Sequence, residues 1–467
     1  MNRFHRIYQA MKDLLHSFLR LLVRIDLSRI LCMGFKINMP QRQIMMVYLT
    51  YTLIGTALLM MPFATTSEVP FIDNLFNAVS AISTTGLTSV NPATEYTFWG
   101  QLILLCLIQT GGFGYMTLSA YIMLHITHVL GDKKAKLFST QFAYPDTIRS
   151  ESMVRSIVNF TFGFELLGVA LLFPYFYFTG IEHPLWSAIY HTVSAFCTAG
   201  FSIYPDNLIR FQTDIYVNIV LMFLCFAGAM GFIVMTDIYR KLTRRNYKIT
   251  FTSKVIVTIT GALALWGTLH LFFFEPMLQS LDTFDRFIVS LFQAMSAMTT
   301  VGYNTIEVSE IVPVSLMVLT VCMYIGASPS GTGGGLKSTT LSALYAYTKN
   351  KLGLHKNISL CGNVIPDYRI ETALTTFVFY TFILCVGVYF MTLFEPNDAD
   401  FLKIFFEASS ALATAGLTSG VVSSSTLGSK LTLIILMYIG RIGVITLGNA
   451  FLISKKSKLK GQSDMAV

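Results

Sequence analysis

The sequence contains little charge. Only 12% of its 467 residues are Asp, Glu, Lys or Arg, whereas 54% are hydrophobic. A soluble chain has roughly twice that charged fraction, and at this length it would divide into domains joined by polar linkers, which are absent here. Apolar runs that exceed the roughly 20 residues needed to cross a bilayer recur instead. The composition therefore excludes an ordinary soluble protein and indicates a chain embedded in a lipid bilayer.

Several motifs that carry chemistry are also missing. The seven cysteines form no C-x-x-C pair, so the sequence indicates neither a disulfide framework nor a zinc site. The chain contains no G-x-x-x-x-G-K-[ST], H-E-x-x-H or G-x-S-x-G motif, and no paired carboxylates within the apolar runs. We therefore expect no enzyme activity and no covalently bound cofactor.

Eight apolar runs predict spanning helices. They lie near 44–63, 101–130, 156–180, 214–239, 255–274, 311–347, 371–394 and 428–454. Between the two members of each successive pair lies a shorter, half-apolar stretch, at 71–92, 184–206, 284–306 and 399–420. Each stretch is too short to span and ends in glycine with threonine or serine. This pattern is typical of a short helix that enters the membrane and returns as extended backbone, which is tolerated only where protein or a water-filled pore surrounds it.

The basic residues predict the orientation. Of the 33 Lys and Arg residues, 27 lie in the first 43 residues, in the loops around 131–155, 240–254 and 349–369, and after 454. By the positive-inside rule both termini are then cytoplasmic, with 1–43 an amphipathic segment near the membrane surface and 455–467 a tail. The outward side is acidic. Because this charge separation suits a cation path, the net charge of +8 does not require a nucleic-acid partner.

The four short stretches are copies of one another, and they align without gaps. They read LFNAVSAISTTGLTSV (75–90), IYHTVSAFCTAGFSIY (189–204), LFQAMSAMTTVGYNTI (291–306) and FFEASSALATAGLTSG (405–420). Each contains a Ser-Ala pair, a threonine two residues before a glycine, and an aromatic residue or leucine after that glycine. The glycines are separated by 114, 102 and 114 residues, and a second glycine (Gly111, Gly228, Gly326, Gly440) follows each by 24 to 28 residues.

This repetition predicts an all-α polytopic membrane protein built from four pseudo-symmetric helix–pore loop–helix repeats, which close most readily as a ring around a central pore. The repeats are expected at 44–130, 156–240, 255–348 and 371–454.

The T-x-G element suits a potassium filter. Potassium must shed its water, and closely spaced backbone carbonyls can replace that hydration shell. Glycine permits the backbone conformation that aims those carbonyls at one axis, and the negative end of the preceding short helix favours a cation. The predicted filter is Thr84, Thr85, Gly86 and Leu87; Thr198, Ala199, Gly200 and Phe201; Thr300, Val301, Gly302 and Tyr303; and Thr414, Ala415, Gly416 and Leu417. The alternative, a small-residue helix-packing motif, would not require this shared register.

At these residues the sequence resembles the Trk/Ktr/HKT superfamily of potassium transporters, and within it KtrB-type membrane subunits. The resemblance covers residues 40–455. It includes the segment 326–340, similar to the family's G-x-S-T-G-G-G-[IL]-K intramembrane loop although it reads Ser330-Gly331-Thr332, and the segment 438–446, similar to the G-R-x-G motif of the last helix. Some plant relatives that prefer sodium have serine at the first filter position, so Gly86 favours potassium.

The resemblance also implies properties that the residues alone do not indicate. It implies a selective, often sodium-stimulated potassium pathway, with potassium and possibly sodium as the ions. It further implies a homodimer of pore subunits on a KtrA-like ring of cytosolic nucleotide-binding regulatory subunits.

A gate is expected in the third repeat, where Gly, Ser, Thr and one Pro interrupt an apolar run and favour a broken helix lining a cavity. The gate hypothesis names Gly326, Ser330, Gly331, Thr332, Gly333, Gly334, Gly335, Lys337 and Arg441. A passive hinge is the alternative for the loop. Arg441 lies deep in the last span, where a charge is costly. It either forms an electrostatic barrier or latch for the loop, or is tied to backbone carbonyls. Lys337 is expected to reach the cytoplasmic interface.

Further polar residues in the membrane segments are interpreted as structural. One repeat position holds Asn77, His191, Gln293 and Glu407. These side chains could touch ions, but bonding to neighbouring backbone is the favoured interpretation. Glu165, within a span, is expected to be paired with a hydroxyl or protonated and is assigned no role.

The sequence therefore predicts regulated potassium uptake across the plasma membrane. An ATP-driven potassium pump subunit, energised by another chain, is the main alternative, and an intramembrane enzyme is the third.

Overall fold

A computed structural model describes residues 40–114, 150–243, 247–354, 357–396 and 399–451. The predicted tail at 455–467, and all but the last four residues of the predicted N-terminal segment 1–43, lie outside the described residues. Within them the chain is almost entirely helical, with one two-stranded antiparallel hairpin, Ser359–Leu360 and Asn363–Val364. This confirms the predicted all-α class.

Each quarter of the chain contains an outer helix, a short pore helix and an inner helix. The outer helices are Pro40–Leu59, Ser150–Phe178, Phe251–Phe274 and Asp367–Phe394. The pore helices are Phe71–Ile82, Pro184–Phe196, Thr283–Thr299 and Phe401–Leu412. The inner helices are Phe98–Phe113, Ile215–Thr243, Pro313–Ile325 followed by Ser338–Leu352, and Leu427–Ile442 followed by Val444–Phe451. Short helices at Pro92–Glu95 and Val421–Ser424, and 3₁₀ turns at Ile209–Phe211, Pro276–Ser280 and Val308–Glu310, complete the described elements.

The predicted spans correspond to helices of unequal length. Four helices in the described residues are long and apolar enough to cross a membrane, and a fifth span is formed if the bent pair of the fourth inner helix counts as one. The outer helix of repeat 1 and the inner helices of repeats 1 and 3 are apolar but shorter. The inner helix of repeat 3 is short because it breaks at Gly326, as the run of glycines predicted.

The inner helices of repeats 2, 3 and 4 are interrupted, and the described part of the first inner helix ends, at a glycine with positive φ. These glycines are Gly114, Gly231, Gly326 and Gly443, with φ of 67°, 71°, 60° and 90°. In repeat 4 the two helical segments meet at 93°. A residue with a β-carbon rarely adopts this conformation, so glycine is needed at each break.

The second glycine of the repeat was assigned wrongly in repeat 3. Gly111, Gly228 and Gly440 each lie against a carbonyl at the C-terminal end of the pore helix of their own repeat, where a β-carbon would overlap that oxygen. Gly326 instead lies against Gly334 and Gly335 and corresponds to the glycine of the helix break. Spacing alone could not separate two glycines that are three residues apart in the other repeats.

The hydrophobic core consists of four main clusters, each shared between neighbouring repeats. They join repeats 4 and 1, 3 and 4, 1 and 2, and 2 and 3. Large apolar side chains on the outer helices face outward, for example Leu166, which is 72% exposed, and Leu265, which is 60% exposed. A ring of helices in a lipid bilayer requires apolar contacts between its repeats. It also requires apolar side chains on its outer face.

Candidate ion pathway

Each pore helix ends in the same backbone motif. In repeat 1 the amide of Thr84 donates to the carbonyl of Ala81 at 3.0 Å, and that of Thr85 donates to the carbonyl of Ser80 at 2.8 Å. The other three repeats contain the same pair of hydrogen bonds. This is a Schellman motif, whose left-handed residue is usually glycine. Each Ser-Ala pair therefore supplies the two carbonyls that fix the start of the predicted filter.

A threonine occupies the left-handed position in all four motifs. The φ angles of Thr84, Thr198, Thr300 and Thr414 are 52°, 52°, 54° and 49°. A β-branched residue in this region costs on the order of 1–3 kcal/mol and persists only where surrounding contacts enforce it. Four copies of one strained backbone conformation indicate that the direction of the carbonyls after these threonines matters more than local stability.

The four predicted filter glycines form a closed ring. A β-carbon built on Gly86 would overlap the carbonyl oxygen of Ala199 in repeat 2. The same holds for Gly200 and the Val301 carbonyl, Gly302 and the Ala415 carbonyl, and Gly416 and the Thr85 carbonyl. Each glycine thus meets the residue before the glycine of the next repeat, and the fourth repeat meets the first. The structure therefore brings the four T-x-G segments together around one axis, with main-chain oxygens in contact from repeat to repeat.

The residue after each glycine packs into the preceding repeat. Leu87 lies in the core shared with repeat 4, Phe201 in that shared with repeat 1, Tyr303 in that shared with repeat 2, and Leu417 in that shared with repeat 3. Tyr303 also donates its hydroxyl to the Phe201 carbonyl at 3.1 Å. These anchors explain the apolar or aromatic residue at this position, because each fixes the register of its own filter segment against its neighbour.

The threonine hydroxyls lie on the side of the ring that faces the interrupted third inner helix. The Thr198 hydroxyl donates to the Thr332 hydroxyl at 3.1 Å, and the amide of Gly334 donates to the Thr300 hydroxyl at 2.7 Å. The hydroxyls of Thr84 and Thr414 are buried without a protein partner among the described residues. Two of the four hydroxyls therefore hold the loop, and the other two make no hydrogen bond to the described residues.

The repeated polar position on the pore helices bonds to the segment that follows the filter glycine in three of four copies. Asn77 accepts from the amide of Ser89 at 3.1 Å and donates to the Val90 carbonyl at 3.0 Å. His191 bonds to the Ser202 hydroxyl at 2.9 Å, and Glu407 accepts from the amide of Ser419 at 2.7 Å. The favoured interpretation, bonding to neighbouring backbone, is confirmed for Asn77 and Glu407, and for His191 through its 2.8 Å contact with the Ser187 carbonyl. In contrast, the buried amide of Gln293 has no partner in the described part of the chain.

The loop after Gly326 docks on the second inner helix. The Thr332 amide donates to the Gly228 carbonyl at 3.0 Å, and the Ser328 amide to the Ala229 carbonyl at 3.3 Å. Those carbonyls belong to the last turn before the break at Gly231, so they lack their usual helical donors. A β-carbon on Gly331 would overlap the Ala229 carbonyl, and one on Gly334 would overlap the Ala413 carbonyl in repeat 4. The glycines thus allow the loop to lie against other repeats beneath the filter.

Arg441 connects three repeats. One guanidinium nitrogen donates to the Thr332 carbonyl at 2.6 Å, and another donates to the Gly111 carbonyl. Gly111 lies in the last turn of the first inner helix, where the helix dipole favours a positive charge. Among the described residues no carboxylate pairs with Arg441. The tie to backbone carbonyls is therefore confirmed, and because one of these carbonyls belongs to the loop, the latch stays a prediction that this contact supports.

The Lys337 side chain does not point where the sequence analysis expected. Its ammonium group donates to the carbonyls of Gly333 at 2.6 Å and Gly334 at 3.1 Å. The side chain therefore turns back into the loop and does not extend to the cytoplasmic interface. A polar loop carbonyl is a better partner for a partly buried ammonium group than an apolar helix surface. Lys337 thereby stabilises the turn through the glycines.

Sequence reasoning missed two contacts that join distant segments. Glu165 accepts a 2.8 Å hydrogen bond from the Gln109 amide, a partner that the sequence did not indicate. Lys430 of repeat 4 forms a 2.6 Å ion pair with Asp73 at the start of the first pore helix. Both pairs join residues more than 50 positions apart, and no local pattern marks such partners.

Fold and site together define a multi-pass membrane protein with a pseudo-four-fold pore suited to a dehydrated monovalent cation. A family model named TrkH and described as a cation transport protein matches residues 33–459. The chain belongs to this family.

Known relatives are similar over most of their length. The Ktr system potassium uptake protein B of Bacillus subtilis is 32% identical over 422 residues, which are 87% of this chain and 92% of that protein. The potassium/sodium uptake protein NtpJ of Enterococcus hirae is 34% identical over 408 residues, 84% and 88% of the two chains. The crystal structure of the potassium transporter TrkH from Vibrio parahaemolyticus superposes with a TM-score of 0.70 at 19% identity, covering 90% of this chain and 86% of that one. This last likeness supports the predicted fold of four pore repeats.

Proposed function

We propose that this protein takes up potassium through a selective, regulated pore and is the ion-translocating subunit of a Ktr-type system. The observation that carries the proposal is the closed ring of Gly86, Gly200, Gly302 and Gly416, each in contact with a filter carbonyl of the next repeat. Such a ring can present carbonyl oxygens from four sides to an ion that has shed its water. The predicted filter residues are the proposed potassium ligands, and no other cofactor is required.

Potassium is favoured over other cations by two features. The third filter, Thr300-Val301-Gly302-Tyr303, matches the start of the potassium-channel sequence TVGYG, and all four filter positions have glycine. The relatives from Bacillus subtilis and Vibrio alginolyticus are named as potassium uptake proteins. The name of the Enterococcus relative adds sodium, which supports the further proposal that sodium stimulates uptake.

The gate in this proposal is the loop between Gly326 and Lys337, latched by Arg441. The loop lies directly under two filter threonines, through Thr332 and Gly334. A polar segment in that position obstructs an ion leaving the filter. Because its contacts are mainly single hydrogen bonds to other repeats, it could move aside without unfolding the helices around it.

Orientation and partners follow the same proposal. The concentration of basic residues in three loops and at both ends supports a plasma-membrane protein with both termini in the cytoplasm and the entrance of the filter facing outward. The names of the relatives refer to a Ktr system, which supports a pore subunit that works with other components. We propose a homodimer on a cytosolic nucleotide-binding ring.

Flux through the purified protein tests the proposal. Liposomes containing the protein and loaded with potassium should take up rubidium-86 without ATP on either side. Excess external potassium should compete with this uptake, and excess sodium should compete far less. Uptake that requires hydrolysis of ATP by a further subunit would favour the pump alternative. Equal competition by sodium and potassium would contradict a selective potassium pathway.

A further inference from the structure

Glu165 is a buried carboxyl group within the span Ser156–Phe178, and the proposed pore does not use it. Its side chain is 6% exposed and accepts a 2.8 Å hydrogen bond from the Gln109 amide. The Cys197 thiol lies 4.0 Å from the same carboxylate oxygen and 3.6 Å from the amide oxygen of Gln109. Burying an acidic group within a membrane span costs free energy, so such a residue is first considered as part of a functional site.

The three side chains belong to three elements that meet beneath the filter. Glu165 lies on the second outer helix, Gln109 on the first inner helix, and Cys197 at the C-terminal end of the second pore helix. Cys197 directly precedes Thr198, whose hydroxyl contacts Thr332 of the loop. The carboxyl group therefore lies where the boundary between repeats 1 and 2 meets the base of the filter.

The same helical turn also holds the latch. Gln109 is two residues before Gly111, whose carbonyl accepts a hydrogen bond from Arg441. At a rise of 1.5 Å per residue, the two contacts are separated by about 3 Å along the first inner helix. A rotation or shift of this turn therefore displaces the Gly111 carbonyl from the guanidinium group.

We propose that Glu165 is a positioning residue for the gate. By accepting from Gln109 it fixes the last turn of the first inner helix, and so holds the Gly111 carbonyl at the height at which Arg441 can bind it and the Thr332 carbonyl together. This inference rests on the gate in the proposed function and adds the residue that sets the closed position. An oxygen acceptor is needed because an apolar residue here would leave the partly buried Gln109 amide without this partner.

Rubidium-86 flux from liposomes without any regulatory partner tests this role. Glu165→Leu removes the acceptor at similar volume, and basal flux should rise on the order of tenfold, which corresponds to about 1.4 kcal/mol of lost preference for the closed state. Glu165→Gln keeps an acceptor oxygen, and its flux should stay within about twofold of the parent. Leu166→Ile, on the lipid-facing side of the same helix, is the matched control.

Combination with Arg441→Gln shows whether Glu165 acts through the latch. If it does, Arg441→Gln alone raises flux, and adding Glu165→Leu then changes flux by less than about twofold, because coupled sites are not additive. A full tenfold further increase in the double variant would overturn the positioning role while leaving the latch intact. Unchanged flux in Arg441→Gln itself would overturn the latch and this inference together, but not the potassium filter.

A second variant tests the inference if Glu165→Leu does not fold. If Glu165→Leu does not elute as a single species in detergent, Gln109→Leu removes the donor of the same pair and should raise flux in the same way. In the exchanged pair, Glu165→Gln with Gln109→Glu, an amide and a carboxyl group again face each other. Its basal flux should therefore be as low as that of the parent protein. Folded Gln109→Leu protein with parental flux would overturn the inference.

Discussion

The guanidinium group of Arg441 donates a 2.6 Å hydrogen bond to the Thr332 carbonyl, joining residues 109 positions apart in the chain. The same side chain binds the Gly111 carbonyl, 330 positions away. A single cation in the last inner helix thus holds the loop of repeat 3 against the helix end of repeat 1. In the proposed gate this contact belongs to the closed state, because opening the loop requires that it break.

Removal of the latch should raise basal flux. Arg441→Gln shortens the side chain and removes the charge, so the Thr332 and Gly111 carbonyls lose charge-assisted bonds worth about 1.5–3 kcal/mol each. We expect rubidium-86 flux in liposomes to rise on the order of tenfold at equal protein. Arg441→Lys should give an intermediate rise, because an ammonium group cannot span both carbonyls in the planar manner of guanidinium. Unaltered flux in Arg441→Gln would rule out the latch.

Deletion of Gly331 to Gly335 should also increase flux. It removes the loop contacts to the Thr198 and Thr300 hydroxyls and the carbonyl that Arg441 binds. The control is a deletion of equal length, residues 359–363, in the hairpin between repeats 3 and 4, which should leave basal flux unchanged. Flux equal to that of the parent in the loop deletion would argue against the gate.

Replacement of a filter glycine should reduce selectivity. Gly302 has φ of 85°, and a β-carbon there would overlap the Ala415 carbonyl of the next repeat. We therefore expect Gly302→Ser to turn filter carbonyls away from the axis and to lower the preference for potassium over sodium in competition against rubidium-86 flux.

Gly180→Ser is the matched control for this change. Gly180 has φ of 74°, but a β-carbon there meets nothing within 4 Å, so only the backbone cost is shared. Selectivity should be retained in the control. If Gly302→Ser retained it as well, the filter assignment would be wrong.

The polar position on the pore helices should contribute unequally to stability. Asn77→Leu leaves the Ser89 amide without its acceptor and should cost about 1–3 kcal/mol. Gln293→Leu removes a buried amide that has no partner among the described residues, so it should cost less than about 1 kcal/mol or stabilise the protein. Thermal unfolding midpoints in detergent should therefore fall for Asn77→Leu and stay level or rise for Gln293→Leu. The reverse order would contradict the support role of this position.

The meeting of the four T-x-G segments could be predicted from the sequence because they are one local motif repeated four times. Thr300, Gly302 and their counterparts had to share a backbone conformation, and the φ angles show that they do. Glycine was likewise a sufficient sign of the break at Gly326. The register of the second glycine in repeat 3 was not predictable, because Gly326 resembles Gly111 in spacing but matches Gly114 in conformation.

Most side-chain contacts between distant segments could not be predicted from the sequence. Nothing near Glu165 indicates Gln109, and nothing near Lys337 indicates that its ammonium group turns back to Gly333. These partners depend on how whole helices pack, which a single chain without covariation does not specify. The unexpected partners therefore lie in and around the loop after Gly326, whereas the four T-x-G segments meet as the repeat predicted, and their role as a potassium filter stays a prediction.

Direct observation of ions in the pore tests the central claim most directly. Crystals grown or soaked with rubidium should show anomalous scattering on the axis enclosed by Gly86, Gly200, Gly302 and Gly416, at distances from main-chain carbonyl oxygens that fit a dehydrated ion, and the peaks should weaken when potassium replaces rubidium. Well-ordered crystals with rubidium bound only elsewhere, and with no density on that axis, would contradict the account.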